Sequence, residues 1–543
     1  MTNKERKFLY GQITGEGKGM EKFEDYIASV LDTLRLERKL YESCYLSQDV
    51  IKAGLQLIQV MKDTDEKVQE AVWELFKKEI PYERPYTAVW IYSVLIKIKH
   101  DSALFYEFVR YARENRIAFS NNTQYYLWSQ LFHMQFSNPA LYEDKTNLEL
   151  WGFFLEIVDA FASEVTVSLE EIPESERDEN LVLVIVSQYV PYSHAPTVTA
   201  LDRCFFLQEK LKKKVLMINT GEVLNMTGCI PLAEVARGNN EDLRESDTVD
   251  WKGKTFPYFQ CPEMMPDTDV INLVLEQVQQ LKPMRVILVG GVSILGNIID
   301  RMIPALTLAL VFSDLTITGT RYQAVGRKLT EEDEKRLKKV GFNRSHVIES
   351  TFTFDIKPQT EVVSRQELGI PEDAFVLVTV GTRLESEIMD DFLGMLESML
   401  NEKIVMVFIG NFPGYTERIK QFSVLGKRSM ALGSCLDVLS RLQVCDLYVN
   451  PKRKGGGSSV VEAMYLGKPA VSIAYGDIAV NAGEEFTVDT YEEMKAQILH
   501  YCNDKDFYAE MSEKAKKRAD ILLDTETAFS QIMEEYDRRE KGR

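Results

Sequence analysis

The sequence predicts an α/β chain in which an all-α domain precedes two doubly wound parallel-sheet domains. Three observations carry this reading. Apolar residues from Glu21 to about Ser163 recur at helical spacing. From Leu181, continuous apolar runs alternate with helical stretches, and the alternation starts afresh near Ala374. Continuous runs mark strands buried on both faces, and strand–helix alternation implies parallel sheets whose ligands sit beyond the strands' carboxyl ends. A chain of 543 residues is long for one core, so about three domains is the expectation from size alone.

In chain order, Phe23, Tyr26, Ile27, Val30, Leu31 and Leu34 form the first buried stripe, and helices are predicted over 68–78, 86–99, 103–114 and 148–161. This all-α domain, 1–165, is rich in aromatics: Trp73, Tyr82, Tyr86, Trp90, Tyr92, Phe105, Phe108 and Trp128. They read as core. The functional alternative is a surface that docks a protein or peptide acceptor, a second copy or a partner subunit. Glu170, Glu171, Glu174, Glu176, Asp178 and Glu179 mark 166–180 as an acidic linker. The first sheet domain, 181–358, offers strands at 181–186, 215–219 and 285–291, helices at 201–212, 270–281 and 328–339, and an extended passage over 350–358. The second, 359–520, offers strands at 375–380, 405–409 and 445–449 with helices at 390–400 and 458–466. Asp506 to Glu540 is expected to form terminal helices on a polar surface, the last of them 521–543.

Composition excludes several classes. The net charge is −19, from 64 basic and 83 acidic side chains, which argues against general nucleic-acid binding but leaves room for a local basic anion site. The first residues lack the apolar core of a signal peptide. The longest apolar run, Met302 to Phe312, is too short to span a bilayer, so the expected location is cytoplasmic. Seven cysteines (44, 204, 229, 261, 435, 445 and 502) show no Cys-x-x-Cys pair and read as reduced core thiols.

The stretch Asn450-Pro-Lys-Arg-Lys-Gly-Gly-Gly-Ser-Ser459 lies between the apolar run Val444–Val449 and a helical pattern at Val460, Val461, Met464 and Tyr465. Glycines between a strand end and a helix start suit a phosphate or diphosphate, because backbone N–H groups and the positive end of the helix dipole meet there. Gly455, Gly456, Gly457, Ser458 and Ser459 form this cradle, with Ser458 or Ser459 as helix cap. Glu462, about one turn in, is placed to accept hydrogen bonds from ribose hydroxyls. The plain alternative is a tight turn with a first-turn acid that complements the dipole.

With these parts in order, the chain from about Asn180 onward resembles the GT-B class of nucleotide-sugar glycosyltransferases, which have two Rossmann-like domains facing a cleft. The residues carrying the likeness are Cys445-Asp-Leu-Tyr-Val-Asn-Pro451, the glycine run, and Glu462-Ala-Met-Tyr-Leu-Gly-Lys-Pro469. Val378-Thr-Val-Gly-Thr-Arg-Leu384 is similar to the first strand and phosphate loop of the donor domain, and Ala431–Leu439 to the segment flanking the nucleobase. Two branches compete. The retaining branch has two glutamates separated by seven residues, but Lys454 stands where the first is expected. The spacing from Pro451 to Glu462 resembles that of bacterial cytoplasmic protein glucosyltransferases that modify adhesins, relatives of O-GlcNAc transferase with an Asp at the Glu462 position. Those proteins also carry a helical N-terminal domain, and Tyr192-Ser-His-Ala-Pro-Thr197 resembles their histidine loop.

The resemblance implies transfer of a hexosyl or N-acetylhexosaminyl group from a nucleotide-diphosphate donor, a UDP-sugar, to a protein or peptide, without a metal or other cofactor. Arg383 and Lys454 are the expected cations for the leaving diphosphate, and His194 the group that handles the acceptor. Arg383 could instead be a surface arginine paired with Glu385 or Glu387, and His194 a structural loop residue. Gly290, Gly291, Ser293, Thr318, Arg321 and Gln323 are further candidates to line the cleft. Asp267-Thr-Asp269 resembles an acidic metal motif but reads better as a helix N-terminus. Rival functions are a retaining polysaccharide or glycolipid transferase, a non-catalytic binding subunit, and a nucleotide-sugar epimerase.

Overall fold

A computed structural model describes residues 48–62, 66–190, 195–222, 245–262, 265–311 and 313–542, together with residues 28, 29, 31, 32, 35 and 243. Most of the first predicted stripe, with Cys44, Cys229 and His194, lies outside them. The chain forms two compact units, one of 1–168 with 220–239 and 261–277, the other of 169–219, 240–260 and 278–543.

The first unit is helical: Gln48–Lys62, Glu66–Glu79, Pro85–Lys99, Ser102–Glu114, Asn121–Ser137 and Asp144–Glu164. Its aromatics are core, as their helical spacing requires. Trp73, Trp90, Phe105, Phe108 and Trp128 are buried, while Tyr82 is exposed. The Trp128 indole donates to Leu150 O at 2.8 Å, and its ring meets Phe154 with centroids 4.7 Å apart. Segment 220–222 joins this unit through Tyr125 Oη, which donates to Glu222 O at 3.0 Å.

The second unit holds both sheets. The first comprises β1 (Asp178–Val186), β2 (Lys214–Asn219), β3 (Thr248–Trp251), β4 (Lys254–Gln260), β5 (Pro283–Val289), β6 (Ala305–Leu308), β7 (Tyr322–Val325) and β8 (Val347–Glu349). Its order is β3-β4-β2-β1-β5-β6-β7-β8, parallel except for the β3–β4 hairpin. The second sheet comprises β9 (Phe375–Gly381), β10 (Ile404–Gly410), β11 (Ser429–Ala431), β12 (Leu447–Asn450), β13 (Ala470–Ile473) and β14 (Thr487–Val488). Its order is β11-β10-β9-β12-β13-β14, wholly parallel. The continuous apolar runs are the central strands: Val184 and Ile185 in β1, and every residue of β10, are buried. These two sheets are the Rossmann-like pair expected of a GT-B chain.

Two expectations need correcting. Most of the acidic run read as a linker is tied to the first sheet: Ile172 N donates to Met302 O at 2.8 Å, Glu174 pairs with Arg285 at 2.8 Å, and β1 already begins at Asp178. Glu174 and Glu176 pair with Arg285 and Lys282 at the start of β5, and Glu171 pairs with Arg177 and Arg321. The helix Thr525–Lys541 does not lie on a polar surface. Phe529, Ile532, Met533 and Tyr536 fall on one face and complete the core of the first sheet, and Tyr536 Oη donates to Val286 O at 3.3 Å.

Candidate functional site

The carboxyl ends of β9, β12 and β13 lie side by side, and each runs into a loop bearing polar groups. After β12, Pro451–Gly456 lead into the helix Gly457–Tyr465. Gly456 has φ +96°, a conformation open to glycine, and serves as the helix cap. The expected serine cap is therefore corrected: the left-handed turn at Gly456 brings both serines inside the first helical turn. Ser459 Oγ donates back to Gly456 O at 2.8 Å and lies 2.6 Å from Tyr448 Oη. Gly476, at φ +77° after β13, is constrained as well, because a Cβ there would stand 2.2 Å from Arg453 O.

Arg453 shapes this loop, and sequence reasoning passed over it. Its side chain is 1% exposed. The guanidinium donates to Asn450 Oδ1 at 2.5 Å, Val380 O at 2.6 Å, Glu387 Oε2 at 3.1 Å and Tyr448 Oη at 3.2 Å. A buried arginine is tolerated only when so fully satisfied. It thereby ties the end of β9 to the end of β12. Glu387 in turn holds Arg383, whose Nη2 is 2.7 Å from Glu387 Oε1. The pairing weighed as the plain alternative for Arg383 is thus present, yet Arg383 also faces the glycines: a Cβ on Gly455 would meet its Nη2 at 2.8 Å. One carboxylate is thus shared by two guanidinium groups at the glycine loop. The signal for Arg453 was its place inside Lys452-Arg-Lys454, which looks like an ordinary basic surface run.

Glu462 is only partly exposed, and its carboxylate has no hydrogen-bond or ion-pair partner among the described residues. Burial pushes its carboxyl up to about 7; Lys357 opposes that shift and Asp437 adds to it. Asp437 is itself occupied, accepting from Ser440 N at 3.0 Å and Thr360 N at 2.6 Å. A carboxylate kept half-buried without a donor suits a ligand that brings its own hydroxyls. Lys454 Nζ lies 2.9 Å from Asp314 Oδ2, in the loop after β6. His194 falls outside the described residues.

The weaker candidates serve the structure itself. Ser293 caps the helix Ile294–Ile299, Thr318 shares a buried hydroxyl network with Thr307 and Thr320, and Gln323 accepts from Thr316 N at 3.0 Å. Arg321 pairs with Glu171 at 3.3 Å. Asp267 accepts from Val270 N at 3.0 Å, as a helix N-terminus requires. Among the described residues no group of three or more His, Cys, Asp or Glu is arranged to hold a metal ion.

Residues 362–518 match the family glycosyl transferases group 1. A mutant of Thermobaculum terrenum O-GlcNAc transferase matches at 14% identity and TM-score 0.54, over 95% of this chain and 97% of that one. Anabaena HepE, solved with UDP and glucose, matches at 15% identity and TM-score 0.47, over 66% of this chain and 99% of that one. No curated protein matches in sequence. The chain thus has a fold similar to that of the GT-B glycosyltransferases, and residues 362–518 match the glycosyl transferases group 1 family.

Proposed function

We propose that the chain transfers a hexosyl or N-acetylhexosaminyl group from a UDP-sugar to a protein or peptide, without a metal ion. The observation that carries this is the glycine loop at the end of β12, with Arg383 against Gly455 and the unpartnered carboxylate of Glu462 in the helix that follows. The diphosphate rests on the loop amides, Arg383 and Lys454, and Glu462 accepts from the ribose hydroxyls. As the bond from the anomeric carbon to the phosphate oxygen breaks, charge gathers on the diphosphate, where these donors stabilise it. His194 takes the acceptor's proton in an inverting reaction, or orients acceptor and donor in a retaining one.

The protein acceptor is supported by the helical unit, since the O-GlcNAc transferase similarity extends over nearly the whole chain. The proposed setting is the bacterial cytoplasm, and no described helix is long and apolar enough to cross a membrane. The test is incubation with a panel of nucleotide sugars, with and without cell lysate, followed by mass spectrometry. Release of UDP together with a hexose or N-acetylhexosamine added to a protein is expected. Sugar appearing only on glycan or lipid redirects the acceptor. Absence of both turnover and binding makes the chain a non-catalytic subunit.

A further inference from the structure

The loop after β6 and the glycine loop after β12 meet through buried charge. Asp314 Oδ2 accepts from Lys454 Nζ at 2.9 Å and Oδ1 from Arg336 Nη1 at 2.7 Å. Beside it, Ser313 N donates to Asp477 Oδ1 at 2.9 Å, and Asp477 N donates to Lys454 O at 2.8 Å. Asp314 and Asp477 are 8% and 3% exposed, and the Lys454 side chain is 15% exposed, so the contact is largely buried. Burial alone would favour the neutral acid at Asp314, yet the Lys454 ammonium and Arg336 guanidinium hold it well below the usual carboxylate range. An ionised carboxylate from the first sheet domain, shared between the Arg336 guanidinium and the Lys454 ammonium, therefore sits beside Gly455.

A diphosphate on the glycine amides needs that same ammonium and meets that same negative charge. We propose that Asp314 is a built-in competitor for the diphosphate, an autoinhibitory latch that joins the two sheet domains through Lys454 until the ligand takes the ammonium. This rests on the reading of the glycine loop as the diphosphate site. Because latch and ligand draw on one cation, they are reciprocally linked: the ligand loosens the contact, and removing the contact tightens the ligand. A purely structural ion pair behaves otherwise, since its loss lowers stability without improving affinity for any anion.

The test is calorimetric titration of the full chain with UDP, for the parent, Asp314→Asn, Lys454→Met and the double variant. Asp314→Asn is expected to bind UDP about fivefold or more tightly, the lower end of ordinary coupling between sites. Lys454→Met binds more weakly, and adding Asp314→Asn to it restores nothing. Equal or weaker binding by Asp314→Asn overturns the latch while leaving the donor site intact, and so does a gain that persists without Lys454. Binding to neither parent nor Asp314→Asn overturns the donor site itself. Hydrogen exchange on the unmodified chain gives a readout independent of any variant. UDP should speed exchange over residues 309–316, and unchanged or slower exchange under saturating UDP refutes the latch.

Discussion

Replacing Glu462 by glutamine should stabilise the protein while weakening its hold on nucleotide. The carboxyl is raised from 4.5 to about 7 in the folded state, chiefly by burial. Between those values the folded chain binds more protons at this position than the unfolded chain, so stability falls as pH rises through the window. A shift of that size corresponds to about 3 kcal/mol, fully expressed above pH 7 and absent below the unfolded value. Glu462→Gln keeps the shape and carries no charge. Its advantage over the parent should grow from near zero at pH 4.5 to about 3 kcal/mol at pH 8. Urea unfolding, followed by a probe in the second sheet domain at several pH values, measures this directly. UDP titration at pH 8 should show a loss of about tenfold or more, because the amide presents one acceptor where the carboxylate presents two. A pH-independent stability difference, or a variant less stable at pH 8, refutes the claim that an unpartnered carboxylate is held there. Unchanged UDP affinity refutes the ribose role.

Arg383→Ala should lower transfer by about a hundredfold or more while UDP binding falls less, as measured by steady-state kinetics; full activity would remove Arg383 from leaving-group stabilisation. Arg453→Met takes the guanidinium away from Glu387 Oε2, Asn450 Oδ1 and the Val380 carbonyl, at a cost of about 3–5 kcal/mol. Its melting temperature should fall by roughly 6 °C or more, and a smaller change would show that the loop does not depend on this pin. Gly456→Ala forces a Cβ into φ +96° and toward Arg453 Nη2 at 3.2 Å, so calorimetry should show weaker UDP binding together with a loss of about 1–2 kcal/mol in unfolding free energy. His194→Ala should abolish sugar transfer and leave UDP affinity intact; retained transfer assigns the proton to another group.

The central strands and the glycine loop were legible because both are local signals. A continuous run such as Leu181–Val186 reads as a strand without knowledge of its neighbours, and Gly455–Gly457 announce a turn wherever they fall. The four-residue strands β6 and β7 were not legible. Their few residues carry too little periodicity, and Thr307 looks polar until Thr318 and Thr320 are seen to satisfy it. The partners of the site's charges were hidden for another reason. Asp314 lies 140 residues from Lys454 and Glu387 lies 66 from Arg453, and no spacing rule spans such gaps. The buried face of the last helix was present as Phe529, Ile532, Met533 and Tyr536, but acidic and basic residues crowd the positions between them.

That last helix sets an order of assembly. Tyr536 bonds a strand residue 250 positions earlier, and its neighbours close the first sheet's core. A ribosome that has just delivered β8 therefore exposes a greasy, half-roofed intermediate, and it must translate the whole second sheet before the roof arrives. The second sheet's own core, drawn from residues 370 to 522, has no such dependence and is complete earlier. Translation speed and chaperone capture during that interval should govern yield, and genes split at the boundary between the sheets should give a well-behaved second half and an aggregating first one.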